Sequence, residues 1–410
     1  PRNIAEPVID MLYPPGSNSR IPIIAITGTN GKTTTTRLIA HIVKNMGFKV
    51  GFTTSDGIYI QNRMLDRGDC TGPVSAEFVL KDPTVNYAVL ETARGGILRA
   101  GLGFHKCDVA VVTNIAEDHL GLKGINTIED MAKVKAVVVE SVSNDGYAIL
   151  NADDDLVYDM RNNANSKIAL FSMDENNPRI LKHCNNGGLA AIVESGYVTI
   201  CKGNWKIRVD KIANIPLTYS GKATFNVKNV LGAILAAFVR GFKIEDIRVA
   251  LETFIPSPTL TPGRMNLFEF NKFKVLLDYA HNPAGFEALK DYLSKVEESP
   301  KVGIIAGVGD RRDEDLHQLG VLAAQMFDEV IIRHDKNLRG RNENELVDLL
   351  KNGISSIDKN KSVKVIRSEI DAVKHALTNA KDNSFIVICS DVIPEALDTV
   401  KELKEKENLS

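Results

Sequence analysis

Short continuous apolar runs recur along the chain, separated by longer stretches in which apolar positions return every third or fourth residue. The runs Ile23–Ile26, Tyr87–Leu90, Val109–Val112 and Tyr147–Leu150 read as buried parallel strands. Between the first two, Leu38, Ile39, Ile42, Val43 and Met46 share one helical face, and Gly47 is placed to stop that helix. Strands alternating with helices predict right-handed βαβ units and a doubly wound sheet. From about Ile168 to Ile215 the rhythm changes. Leu189–Glu194 and Tyr197–Cys201 flank the turn pair Ser195-Gly196, and Trp205–Val209 alternates apolar with polar. This predicts a small antiparallel addition. A helix carrying Val227, Leu231, Ile234, Leu235 and Phe238 follows, and the proline-rich segment Ile255–Gly263 marks a boundary. Beyond it the βα rhythm resumes, with strands expected at Phe273–Leu277, Val302–Ile305, Val330–Ile332, Val363–Ile366 and Phe385–Ile388. Residues 1–20, rich in proline and small polar residues, read as a linker or lead-in rather than a helix.

Composition narrows the class. The 410 residues suffice for two or three domains. A formal charge of −2 creates no global field to recruit nucleic acid or an anionic membrane, so neither is an expected partner. No apolar run approaches the roughly 18 residues of a membrane span, and no secretory leader opens the chain. Five cysteines, none in a CxxC pair, read as reduced thiols of a cytoplasmic protein.

Candidate chemistry begins at the end of the first strand. Gly28, Thr29, Asn30, Gly31, Lys32, Thr33 and Thr34 form a glycine-containing loop running into a helix. Consecutive backbone N–H groups there cradle phosphates, the lysine adds a charge for the β- and γ-phosphates, and a threonine hydroxyl can hold Mg²⁺. The P-loop consensus places a glycine where this chain has Ile26, so the match is to a shortened variant; a plain strand–turn–helix corner with a surface lysine is the alternative. Glu91, Asn114, Asp118 and His119 fall at the carboxyl ends of neighbouring strands, where ligands bind in open α/β sheets. The expected fold is therefore α/β: a P-loop doubly wound central domain over 21–260 with the antiparallel addition, then a Rossmann-like C-terminal α/β domain over 264–410.

Four blocks, Gly28–Thr34, Glu91-Thr92-Ala93, Asn114–His119 and Asp278-Tyr279-Ala280-His281-Asn282-Pro283, resemble in order and spacing the signature blocks of the Mur ligases. Finer features are similar to one branch of that family, the cyanophycin synthetases: the lead-in Asn3–Met11, the run Glu91–Gly103, Gly203-Asn204-Trp205 with Ile215-Pro216-Leu217-Thr218, and Leu338-Arg339-Gly340-Arg341. The resemblance implies the arginine-adding half of such an enzyme, without the usual UDP-sugar-binding domain and with an ATP-grasp half in the same chain or complex. It implies ATP and Mg²⁺ as cofactors, and L-arginine and an Asp-Arg polymer as substrates. A homo-oligomer is also expected. Reaction through an acyl phosphate would join arginine to the β-carboxylate of aspartate. Lys32 would serve the phosphates, Thr33 and Glu91 one Mg²⁺, and His119 a second. Asn226, Arg264 and Asp278 match the family's nucleotide contacts, although Phe225 stands where the family has a histidine.

Lys133 matches by spacing the lysine that Mur ligases carry as a carbamate, a further metal ligand. Lys135 is the fallback; two residues apart on a helix, roughly 200°, the two cannot both face one site. His281 can face the transferred phosphate or merely cap the helix that Pro283 opens. Arg94, Arg312, Arg339 and Arg341 are candidates for gripping acidic substrate groups, since guanidinium forks bind carboxylates at two points. The alternatives are solvated basic loops. Two other functions stay open: a different Mur-type ligase, acting on a muropeptide or a folylpolyglutamate, and a non-catalytic ATP-binding module of a larger synthetase.

Overall fold

The computed structural model describes residues 5–12, 14, 20–118, 120–335 and 338–409. Two sheets organise the chain. The first is built from β1 (Ile23–Thr27), β2 (Val50–Thr54), β3 (Gly57–Ile60), β4 (Arg63–Arg67), β5 (Tyr87–Glu91), β6 (Cys107–Val112), β7 (Val142–Asn151), β8 (Lys167–Ser172), β9 (Leu189–Glu194), β10 (Tyr197–Lys202) and β11 (Trp205–Lys211). Their order is 11-10-9-8-7-6-1-5-2-3-4, and the run from β9 through β2 is parallel. Alternate residues of β1 explain why it needs cover on both sides. Ile24 and Ile26 join the core under the helices Lys32–Asn45 and Thr224–Val239, while Ile23 and Ala25 join the opposite core, which includes the helix Ile128–Glu140.

The second sheet holds β12 (Asn266–Glu269), β13 (Lys274–Asp278), β14 (Lys301–Ala306), β15 (Glu329–Arg333), β16 (Ser362–Ile366) and β17 (Phe385–Cys389), in the order 12-13-17-14-15-16. Only β12 runs antiparallel. It too is packed on both faces, around Leu276 and Val387 on one side and Leu277 and Ile388 on the other.

Two expectations are corrected, and one further element was not expected. The antiparallel addition is smaller than the sequence predicts: β8 and β9 are parallel, and only β9, β10 and β11 alternate, extending the main sheet. The helix Pro178–Asn185 supplies the crossover between β8 and β9. The opposite edge carries an unpredicted hairpin, β3–β4, turned by Gln61 and Asn62 at positive φ. A helix also spans Ala5–Leu12, where proline content argued for a linker; Pro7 falls in its first turn, where a missing N–H costs nothing. All five cysteines are free and buried, and among the described residues no helix is long and apolar enough to cross a membrane.

Candidate active site

The loop after β1 depends on its two glycines. Gly28 sits at φ +143°, and a Cβ there would come within 1.9 Å of Thr113 Oγ1; Gly31, at φ +86°, would place one 2.3 Å from Asn229 Oδ1. Asn114 clamps the loop, its carbonyl accepting from Thr29 N–H at 2.8 Å and its Oδ1 from Asn30 N–H at 3.0 Å. Gly31 then caps the helix Lys32–Asn45 without any side chain, and the first turn holds no acidic residue. Its leading N–H groups have no side-chain cap, an arrangement that suits an anion. Lys32 Nζ donates to Thr29 O at 2.8 Å, folding the cation over the loop.

This loop opens onto a cavity of about 880 Å³ between the two sheets. Thr33 Oγ1 donates to Glu91 Oε2 at 2.9 Å and lies 3.0 Å from Ser55 Oγ, while Ser55 N–H also reaches Glu91 Oε2 at 3.2 Å. Burial pushes the Glu91 carboxyl above its ordinary value, opposed by the nearby Lys32 charge. Thr33, Ser55 and Glu91 present hard oxygen donors beside the anion cradle, a set that suits Mg²⁺ shared with phosphate oxygens. Among the described residues no three His, Cys, Asp or Glu side chains converge as a self-sufficient metal site, so phosphate or water would complete the coordination. His119 lies outside the described residues.

The second domain reaches the same place. Arg264 Nη2 donates to Ser55 Oγ at 3.0 Å, and its guanidinium lies 4.0 Å from the centre of the Tyr279 ring. Asp278 accepts from Met265 N–H and Ala280 N–H, and burial raises its carboxyl despite Arg264. His281 lines the cavity with Nδ1 2.8 Å from Tyr279 O. The cap of helix Pro283–Leu293 is Asn282, not His281, and its amide meets that of Asn30 across the cleft at 3.2 Å. Asn226 also lines the cavity, but its Nδ2 is given to Leu217 O and its Oδ1 accepts from Asn229, so both ends of the amide are engaged within the protein.

The lysine assignment is corrected. Lys133 points to solvent, its side chain 79% exposed and 3.9 Å from Asp130, and it stands away from the cleft. Lys135 is buried on the opposite side of that helix, with Nζ donating to Thr29 Oγ1 at 3.2 Å. The reason is the helix phase: Met131, Ala132, Lys135, Ala136, Val138 and Val139 form the inward face. Burial pulls the Lys135 amine well below the usual lysine range, helped by Lys32 and opposed by Asp118.

Of the four candidate arginines, Arg94 and Arg339 line the cavity, and Arg339 pairs with Asp310. Arg312 and Arg341 do not. The first is held by Glu117 and Asp315, the second by Asp313 and Glu345, so both serve as structural ion pairs. Arg311, one residue from the candidate named by sequence, is the cleft residue, almost fully buried and 2.7 Å from Asp118. Sequence reasoning also passed over Ser55, Asp69, Asn229 and Asp391. Ser55, Asp69 and Asp391 stand on loops and Asn229 on the helix Thr224–Val239, none tied by a local pattern to the phosphate loop.

The fold and the cleft define a two-domain P-loop α/β protein whose glycine loop and helix N-terminus open onto a cavity between the two sheets. Residues 26–237 match the Mur ligase middle domain and residues 263–392 the Mur ligase, glutamate ligase domain, and the chain belongs to the Mur ligase family. Members of this family are ATP-dependent, ADP-forming amide ligases. Among curated relatives, the chain is 52% identical over its whole length to a cyanophycin synthetase of Geminocystis herdmanii and 50% identical over 98% of its length to one of Synechocystis. It covers 46% of each, so it spans about half the length of the curated relatives it matches. A solved bifunctional folylpolyglutamate synthase/dihydrofolate synthase, with Mn, AMPPNP and L-glutamate bound, shares the fold at a TM-score of 0.69 and 18% identity, over 94% of this chain and 90% of that one.

Proposed function

We propose that this chain is the ligase unit that joins L-arginine to the β-carboxylate of aspartate in a polyaspartate backbone, releasing ADP and phosphate. The observation carrying this reading is the contact chain Thr33–Ser55–Arg264, which brings the anion cradle of one domain against a guanidinium of the other. The 52% identity to a cyanophycin synthetase supports the choice of substrates. We propose further that an ATP-grasp half, in the same chain or complex, supplies the aspartate, that the unit works as a homo-oligomer, and that it acts in the cytoplasm.

In this mechanism the aspartate β-carboxylate attacks the γ-phosphorus of ATP, giving an acyl phosphate and ADP. The α-amine of arginine then attacks the acyl carbon. The tetrahedral intermediate collapses to the amide as the C–O bond to phosphate breaks and the nitrogen sheds its proton. Such a reaction needs positioning and charge neutralisation rather than a protein nucleophile. Lys32 and the N-terminal amides of its helix hold the β- and γ-phosphates. Thr33 and Glu91 would hold Mg²⁺, which when bound would supply charge neutralisation to the phosphate oxygens. Arg264 and Asp278 position the nucleotide from the second domain, with Asn226 packed beside it. His281 faces the transferred phosphate, and Arg94 and Arg339 take substrate carboxylates. Lys135, not Lys133, would take the carbamate role: an amine held neutral by burial forms an N–C bond to CO₂ as its nitrogen gives up a proton to water, leaving an anion that would suit Mg²⁺.

Phosphate release measured with ATP, Mg²⁺, an Asp-ended polymer primer and each amino acid in turn tests the reading. Arginine should support turnover; release only with a muropeptide or folate acceptor, or none with any amine, would refute it.

A further inference from the structure

One corner of the cleft hangs on a tight turn. Ser55 and Asp56 connect β2 to β3, with Thr54 and Gly57 paired across its base. Ser55 is where three parts of the cleft meet. Its Oγ lies 3.0 Å from Thr33 Oγ1, its N–H reaches Glu91 Oε2 at 3.2 Å, and Arg264 of the second domain donates to Oγ at 3.0 Å. Asp56, the other half of the turn, accepts from Thr54 Oγ1 at 2.8 Å and from Tyr59 Oη at 2.5 Å, and pairs through Oδ2 with Arg37 Nη2. Fixing Asp56 constrains Ser55, since one planar peptide bond joins them.

Arg37 stands one turn beyond Thr33 on the helix Lys32–Asn45, so a single element carries both the hydroxyl and the guanidinium. Its side chain is only 4% exposed, and a charge so buried is costly unless it is paired. The rings of Phe52 and Tyr59 stack with centres 4.6 Å apart, and the guanidinium carbon lies 4.6 Å from the Tyr59 ring centre and 5.6 Å from that of Phe52. The fork is divided between two elements. Nη2 takes Asp56, while Nη1 donates at 3.2 Å to Leu260 O, in the segment between the two domains and four residues before Arg264. A planar guanidinium holds two acceptors at a set angle, which the point charge of a lysine ammonium does not. Burial acts to raise the Asp56 carboxyl, but Arg37, with Tyr59 and Thr54 donating, holds it below its ordinary value.

We propose that Arg37 is a positioning residue for the metal-and-phosphate corner. It does not line the cavity; it acts by gripping Asp56 and Leu260 together. That grip sets Ser55 against Thr33 and Glu91 and brings Arg264 to the same oxygen. The inference rests on the Mg²⁺ and phosphate contacts proposed above, and not on which amino acid is joined. The phosphate cradle is built separately, since Asn114 clamps the loop and Lys32 folds onto Thr29 O. Loss of the Arg37 fork should therefore spare nucleotide binding without metal and weaken the part that Mg²⁺ adds.

The test titrates the full chain calorimetrically with the ATP analogue AMPPNP, in Mg²⁺ and in EDTA. Wild type should bind more tightly with Mg²⁺. Arg37→Lys keeps the charge but not the fork. Its affinity in EDTA should stay within about threefold of wild type while the gain from Mg²⁺ falls roughly tenfold or more, the usual cost of losing a group that orients metal ligands. Should Arg37→Lys not fold, the double variant Arg37→Met with Asp56→Asn carries the same test, because it removes both charges and strands neither. A folded variant that keeps the wild-type Mg²⁺ gain overturns the assignment to Arg37. So does one that loses affinity equally in Mg²⁺ and EDTA, the mark of a merely structural role. A wild-type chain whose affinity ignores Mg²⁺ overturns the metal-and-phosphate reading itself.

Discussion

Thr33 Oγ1 donates to Glu91 Oε2 at 2.9 Å, joining the first turn after the phosphate loop to the end of the neighbouring strand. The two residues are 58 positions apart in sequence, and the pairing of β1 with β5 brings them together. Around that contact a buried carboxylate is kept where no nearby cation fully compensates it, an arrangement that suits metal binding more than stability.

The cost is visible in pH dependence. The Glu91 carboxyl is raised by burial above its ordinary 4.5. As pH climbs past 4.5, the unfolded chain loses this proton while the folded chain keeps it, so stability falls until the folded value is passed. Glu91→Gln removes that loss. Urea unfolding without nucleotide should find the variant more stable than wild type at pH 8 and nearly equal at pH 4, while phosphate release is abolished. Equal stability differences at both pH values would contradict a raised carboxyl.

Lys32→Ala should lower ligation by roughly a hundredfold or more, the scale of losing one well-aimed charge at a reacting phosphate. Its side chain folds over the loop onto the Thr29 carbonyl and supports no core, so the melting temperature should hardly move. Retained phosphate release in the folded variant would remove Lys32 from the site.

Lys135→Ala should lose activity that millimolar short-chain carboxylates partly restore by occupying the place of a carbamate. Lys133→Ala should remain fully active and change stability by no more than ~0.5 kcal/mol, as an exposed substitution does. The reverse pattern would return the role to Lys133.

Arg311 is almost fully buried against Asp118 across the domain boundary. Asp118→Ala strands that cation, and about 3 kcal/mol of stability should be lost. A double-mutant cycle with Arg311→Met, read by urea unfolding, should recover much of the loss. Strictly additive effects would mean the pair is not coupled in solution.

The βα rhythm, the phosphate loop and the strand ends bearing Glu91 and Asp278 were legible because each is a local pattern. Gly28 and Gly31 mark backbone that only glycine adopts, and apolar runs such as Ile23–Ile26 mark strands covered on both faces. The edge hairpin β3–β4 was not legible, since every residue of β4 is exposed and no apolar alternation marks it. Helix phase misled at Lys133: spacing alone named the wrong one of two lysines, and the burial of Met131, Ala132 and Ala136 settled which side faces inward.

By itself, then, the sequence determined the α/β class, the position of the anion cradle and the order of its blocks, because these depend on residues close along the chain. Only the tertiary structure decided which polar groups share the cleft. Arg311 rather than Arg312 and Lys135 rather than Lys133 are choices made by strand order and helix rotation. Such contacts, Lys135 with Thr29 and Arg311 with Asp118, join residues more than a hundred positions apart, and their geometry is set by how the elements pack, which no local spacing encodes.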